Sequence, residues 1–114
     1  IVPHGGATLP LIVDRVSAFS RLLDVDPSVD VLRDIARLHY DLAGFPLPRQ
    51  LDALLTITTL AHLHYGSDFP FTPEFAAAMS AERLEAAGEP PGSLIDTLRT
   101  NTQRLFPARG TPER

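Results

Sequence analysis

The 114-residue chain contains no cysteine and no lysine; every one of its ten basic residues other than histidine is arginine. The first absence excludes disulfides, thiolate metal sites and a cysteine nucleophile together. The second removes Schiff-base catalysis and a carboxylated-lysine metal bridge from this segment. No apolar run approaches the roughly 20 residues that a bilayer-spanning helix needs, so no membrane partner is expected. The formal net charge of −4 is spread along the chain and leaves no basic patch, so nucleic acid is not an expected partner either. Gly5-Gly6 lacks the remainder of any phosphate-binding loop, and no Ser–His–Asp arrangement is legible. The opening Ile1-Val2-Pro3-His4 has neither an initiator Met nor the basic and apolar regions of a signal peptide, and reads as a cut through something larger. A cysteine-free chain suits a reducing compartment, and the cytoplasm is the expected location.

What is present alternates between short apolar runs and helical patterns. Ile1 to Pro3 reads as the end of a strand, followed by His4-Gly5-Gly6, where two glycines permit a tight turn and close approach of a ligand. From Leu9 to Leu23, the residues Leu9, Ile12, Val16, Phe19 and Leu23 recur at spacings of three and four, one face of a helix with Asp14, Arg15 and Arg21 off the stripe. A short helix over about 30–36 follows Asp26-Pro27-Ser28. Leu38 to Ala43 predicts a second strand, and Pro46 to about Ile57 a helix with Leu47, Leu51, Leu54 and Leu55 on one side. Leu60 to Tyr65 predicts a third strand, running into Gly66-Ser67-Asp68. A helix over 73–87 follows, then the breaker Gly88-Glu89-Pro90-Pro91-Gly92, then a last helix capped by Ser93 and running to about Leu105. The polar tail, 108–114, is expected to be disordered.

Strand–helix alternation argues for βαβ units and a parallel sheet, hence an α/β fold. Three parallel strands alone would leave edges open and one face uncovered. A (β/α)8 barrel takes about 250 residues, so residues 1–107 match about its last three β/α units, the C-terminal segment of a TIM barrel.

At the C-terminal ends of barrel strands, where catalytic groups gather, stand His4 and Asp68. Asp68 follows Gly66-Ser67 and can be one carboxylate ligand of a divalent cation, or it can organise the following turn. His4 can be a ligand, a proton shuttle or a turn residue. His62-x-His64 has the spacing of a metal clamp on one strand face, but it precedes the strand's C-terminal end, and contact between barrel and helix is the favoured reading. His39, mid-strand, reads as a packing residue.

Three blocks in order carry a resemblance: His4-Gly5-Gly6-Ala7-Thr8-Leu9-Pro10 with Arg15, Leu38-His39-Tyr40-Asp41-Leu42-Ala43-Gly44, and Tyr65-Gly66-Ser67-Asp68-Phe69-Pro70-Phe71. With the weaker tail Asn101-Thr102-Gln103-Arg104-Leu105-Phe106, they resemble the closing part of the aminocarboxymuconate-semialdehyde decarboxylase family of the amidohydrolase superfamily (amidohydrolase-2 type), most closely its 6-methylsalicylate decarboxylase-like members. The resemblance implies that Asp68 ligates a catalytic divalent metal, usually zinc and in some members manganese. It implies that His4 contacts the metal-bound water and assists proton transfer. Arg15 matches a residue that reaches into the neighbouring subunit and binds a substrate carboxylate, for which its forked guanidinium is suited; its alternative is a solvated helix residue or an ordinary ion pair. Two departures stand out: Ala7 occupies the place of a usual third glycine, and the family's early His-x-His pair and mid-barrel histidine are absent. His62 and His64 lie on the wrong strand to replace them.

The function so implied is metal-dependent, non-oxidative decarboxylation of a small aromatic or muconate-type carboxylic acid by a homo-oligomer (dimer or tetramer), with this segment alone inactive. A metal-dependent hydrolase of a lactone or amide, and a non-catalytic truncated module, are the alternatives.

Overall fold

The computed structural model describes residues 1–24, 26–87 and 93–107. Its spine is a small parallel sheet. Strand β1 (Tyr40–Asp41) pairs in parallel with β2 (Leu63–His64), in the register Tyr40 to Leu63 and Asp41 to His64. Val2 adds a single parallel bridge to Tyr40 on the other side. The spatial order is therefore the chain order, with all three segments running the same way. All three are shorter than the sequence predicts, because a strand extends only as far as its neighbour can pair with it. Val2 N–H donates to His39 O and Asp41 N–H to Val2 O, but Pro3 has no N–H to continue the ladder and the chain turns at His4. Leu60–His62 forms a 3₁₀ turn in place of the first half of the third strand.

The helices are α1 (Leu9–Leu22), α2 (Val31–Ala36), α3 (Arg49–Leu54), α4 (Glu74–Ala86) and α5 (Leu94–Leu105). Asp30 caps α2 by accepting the Arg33 N–H. Ser93 caps α5 as predicted, accepting the Asp96 N–H while its hydroxyl donates to the Asp96 carboxylate. Helix α3 starts at Arg49, later than the predicted Pro46, and Pro48 disfavours helical dihedrals at Leu47 before it.

One core joins these elements: Tyr40, Leu42, Leu51, Leu54, Leu63, Leu84, Ile95 and Leu98. Each fully buried leucine there contributes about 1.5–3 kcal/mol of transfer free energy. Helix α5 faces the sheet with Ile95, Leu98 and Asn101, spaced three apart. Asn101 Nδ2 donates to Leu60 O at 2.8 Å and Leu63 O at 3.0 Å, tying the helix to the turn and strand beneath it.

Helix α1 departs from its predicted face. The line that is buried holds Val13 and Ser17, against α2 and α3. Of the apolar stripe, only Leu9 packs on the core; Ile12, Val16, Phe19 and Leu23 are exposed. They line, with Val29 and Val31, an open apolar groove of about 580 Å³. Periodicity marks an apolar face but not the side on which a partner lies. No helix among the described residues is long and apolar enough to cross a membrane. The predicted breaker 88–92 and tail 108–114 lie outside the described residues.

Candidate active site

Because the strand segments are parallel, the residues that follow Val2, Asp41 and His64 leave the sheet by one edge. After Val2 the backbone enters the left-handed region for four consecutive residues: His4 (φ 51°), Gly5 (57°), Gly6 (72°) and Ala7 (49°). Glycine accepts this without penalty, whereas each non-glycine residue held there costs about 1–3 kcal/mol. His4 is therefore placed by its surroundings. Its N–H donates to Asp41 Oδ1 at 2.9 Å. Its carbonyl accepts from the Ala7 N–H and from the side-chain amide of Gln50, at the start of α3. The imidazole is exposed and lies beside Gly44: an added Gly44 Cβ would stand 3.7 Å from His4 Nδ1.

The second strand end is organised by the same carboxylate. Asp41 Oδ1 also accepts the Ala43 N–H at 3.1 Å. The third strand end presses against it, for a Cβ on Gly66 would stand 3.1 Å from each of Asp41 Cβ, Cγ and Oδ1. Any larger residue there would crowd the Asp41 side chain. Two residues on, Asp68 sits in the left-handed region (φ 57°). Its carbonyl accepts the Thr72 N–H at 2.9 Å, and its Oδ2 accepts the Thr72 hydroxyl at 3.2 Å. Asp68 thus holds the turn after β2 through its own carbonyl and the Thr72 hydroxyl, not through the carboxylate-to-backbone N–H bonds of the turn reading, and its half-exposed carboxylate retains acceptor capacity for a ligand.

The sheet edge brings His4 and the Gly66–Asp68 segment to one side, linked through Asp41. Arg15 is not part of this group. It lies on the outward face of α1, its guanidinium 5.7 Å from the centre of the Phe19 ring, on the wall of the apolar groove. Asp41 and Gln50 were not among the predicted site residues. Asp41 carried a signal, an aspartate inside a strand pattern where that residue is disfavoured; Gln50 carried none.

The three remaining histidines cluster together beside the sheet, with His64 reaching α5. His39 stacks on His62 with ring centres 4.8 Å apart, and its Nδ1 lies 2.7 Å from His64 Nε2. His64 is 2% exposed and reaches Thr102 Oγ1 with Nδ1 at 3.1 Å; His62 Nδ1 bonds Leu38 O at 3.1 Å. Burial, reinforced by the charge of the neighbouring rings, lowers the pKa of both His39 and His64 below the usual histidine value. Of these contacts, His64 to Thr102 joins strand to helix, and the others lie among the segments of the sheet. Among the described residues, no three His, Cys, Asp or Glu side chains are placed to hold a metal ion. Zinc takes three or four protein ligands. Asp68 offers one oxygen donor, so the described residues by themselves do not make a metal centre.

No protein-family profile matches the chain. Over 99% of its length it is 30% identical to a 6-methylsalicylic acid decarboxylase of Aspergillus aculeatus, covering 38% of that protein. Over 75% of its length it is 34% identical to a 6-methylsalicylic acid decarboxylase of Penicillium expansum, covering 28% of that protein. Among solved structures, an amidohydrolase II superposes on 90% of the chain with a TM-score of 0.73 and 31% identity, the match covering 33% of that structure's chain. The chain thus spans between about a quarter and two fifths of each of these three proteins.

Proposed function

The chain belongs to the amidohydrolase-2 decarboxylase family, and we propose that it forms about three closing β/α units of such a barrel and carries part of the active site of a non-oxidative carboxy-lyase. The substrate class is an aromatic or muconate-type carboxylic acid, with 6-methylsalicylate-like acids favoured by the two curated relatives. The observation that supports this most directly is structural: His4 and the Gly66–Asp68 segment leave the same edge of a parallel sheet, joined through the Asp41 carboxylate.

The chemistry is a substitution of CO2 by a proton. A proton adds to the carbon that bears the carboxylate, the bond to the carboxylate breaks, its electron pair returns to the ring, and CO2 leaves. No oxidant and no organic cofactor are required. Exposed His4 holds or relays the proton at the sheet edge. A divalent metal, zinc or manganese, would supply Lewis acidity when bound, with Asp68 as one of its ligands. Its other ligands would come from further strands of a barrel, on the same or another polypeptide, and no step is assigned to it here. Arg15, exposed on the outer face of α1, is placed to serve a neighbouring subunit of a homo-oligomer, as a grip on a substrate carboxylate.

The test is CO2 release from 6-methylsalicylate by the native polypeptide that carries this segment, supplied with zinc or manganese. Activity is expected, with loss in Asp68→Ala and in His4→Asn, and none from the 114-residue chain alone. Full activity in Asp68→Ala sinks the assignment. Hydrolysis of a lactone or amide without CO2 release transfers the site to a hydrolase.

A further inference from the structure

We propose that Asp41 and Gln50 are positioning residues that together fix the peptide of His4 and so aim its imidazole. The inference rests on the reading of His4 as the proton-handling group. His4 adopts a left-handed backbone that its own side chain disfavours (φ 51°). Local turn bonding accounts for only part of the restraint: the Ala7 N–H reaches the His4 carbonyl, but nothing in the turn takes the His4 N–H. That N–H is taken from 37 residues away by Asp41 Oδ1, and the carbonyl is taken from 46 residues away by the Gln50 amide. The two side chains grip opposite ends of one residue from two different elements, β1 and the start of α3.

Asp41 is itself well fixed. Its carboxylate accepts the Ala43 N–H, which orients it along its own strand end, and Gly66 allows β2 to close against it with no Cβ between. One carboxylate therefore sets both the attitude of His4 and its spacing from the segment that leads to Asp68. Gln50 adds a second constraint, since a Cβ at Gly5 would already stand 3.1 Å from Gln50 Nε2, leaving the turn no room to roll toward α3. Neither residue needs to touch the substrate to affect the reaction.

Two measurements separate this proposal from the assignment of activity. The first is amide hydrogen exchange in the full chain. Asp41→Ala should speed exchange of the His4 and Ala43 amides about tenfold, while the Leu42 amide, which donates to His64 O in the same sheet, keeps its protection. Asp41→Asn retains an acceptor oxygen and should restore most of that protection. The second is the rate of CO2 release by the native polypeptide: kcat should fall up to about a hundredfold in Asp41→Ala with KM little changed, and recover in Asp41→Asn. Should Asp41→Ala not fold, Gln50→Ala removes the other grip at the protein surface and is expected to lower kcat without changing KM. Unchanged His4 exchange in Asp41→Ala overturns the grip; unchanged kcat in both alanine variants overturns its bearing on the reaction. If the unsubstituted polypeptide releases no CO2, the function assignment fails, and the exchange result still decides whether Asp41 holds His4.

Discussion

His39 Nδ1 lies 2.7 Å from His64 Nε2, and Thr102 fixes which of the two nitrogens carries the proton. The Thr102 hydroxyl donates to Leu98 O at 3.0 Å, so toward His64 it can only accept. His64 Nδ1 therefore bears a proton and donates to Thr102, leaving Nε2 as a lone pair that accepts from His39 Nδ1–H. A proton added to Nε2 of His64 keeps this bond only if His39 moves its own proton from Nδ1 to Nε2. It also places a charge at a site 2% exposed.

This arrangement makes stability depend on pH in a definite direction. The folded-state pKa values of His39 and His64 are lowered, by burial first and by the neighbouring rings second. The unfolded chain then binds more protons than the folded one as the pH falls below the unfolded histidine value of about 6.5. The contribution is complete above that value and is lost as the pH falls through the folded-state values beneath it. The urea midpoint is expected to drop between roughly pH 7.5 and pH 5, and to drop less in the double variant His39→Gln/His64→Gln. Equal pH dependence in the two proteins would remove the cluster as the cause.

Asn101 bears on the attachment of α5. Its amide satisfies two carbonyls, of Leu60 and Leu63, and it is 6% exposed. Asn101→Ala leaves both oxygens without that donor in a buried place, at a cost of about 1–3 kcal/mol. Equilibrium urea unfolding measures it; a loss below about 0.5 kcal/mol, the range of ordinary surface changes, contradicts the tie.

What could be read from the sequence, and what could not, follows from which interactions are local. Helix α5 was legible because its cap and its apolar spacing both lie within a dozen residues. The strands were placed correctly but drawn too long: the ladder beside β1 ends at Val2 and Pro3, far off in sequence, and Leu60–His62 forms a 3₁₀ turn. His62 and His64 were read as sharing a strand face, but His62 lies in a 3₁₀ turn and meets His39 from there; that meeting also needed the register of β1 against β2. At the sheet edge, His4 and Asp68 could be picked out because glycines stand beside them. Asp41 could not be joined to them, for its partners His4 and Gly66 are brought to it only by the fold.

Helix α1 offers a direct test of orientation. Val13 is 2% exposed, and Phe19, on the apolar stripe, is 46% exposed. Val13→Ala is expected to cost about 1–3 kcal/mol, whereas Phe19→Ser should stay within about 0.5 kcal/mol. The reverse order in urea unfolding would mean that the stripe is the buried face and the groove beside it is closed.

The contact between Gly66 and Asp41 can be measured by substituting both. Gly66→Ala places a methyl group 3.1 Å from Asp41 Cβ, Cγ and Oδ1, closer than side-chain carbons ordinarily approach. The carboxylate cannot retreat freely, because it holds the His4 and Ala43 N–H groups. The single change should therefore cost about 1–3 kcal/mol, as crowding of a packed site does. In an Asp41→Ala background two of the three crowded atoms are gone, and the same glycine substitution should cost less. The difference is the coupling energy of the pair, expected between about 0.5 and 3 kcal/mol. Simple additivity would mean that the third strand end does not rest on Asp41, and that the spacing between His4 and Asp68 is set by some other contact.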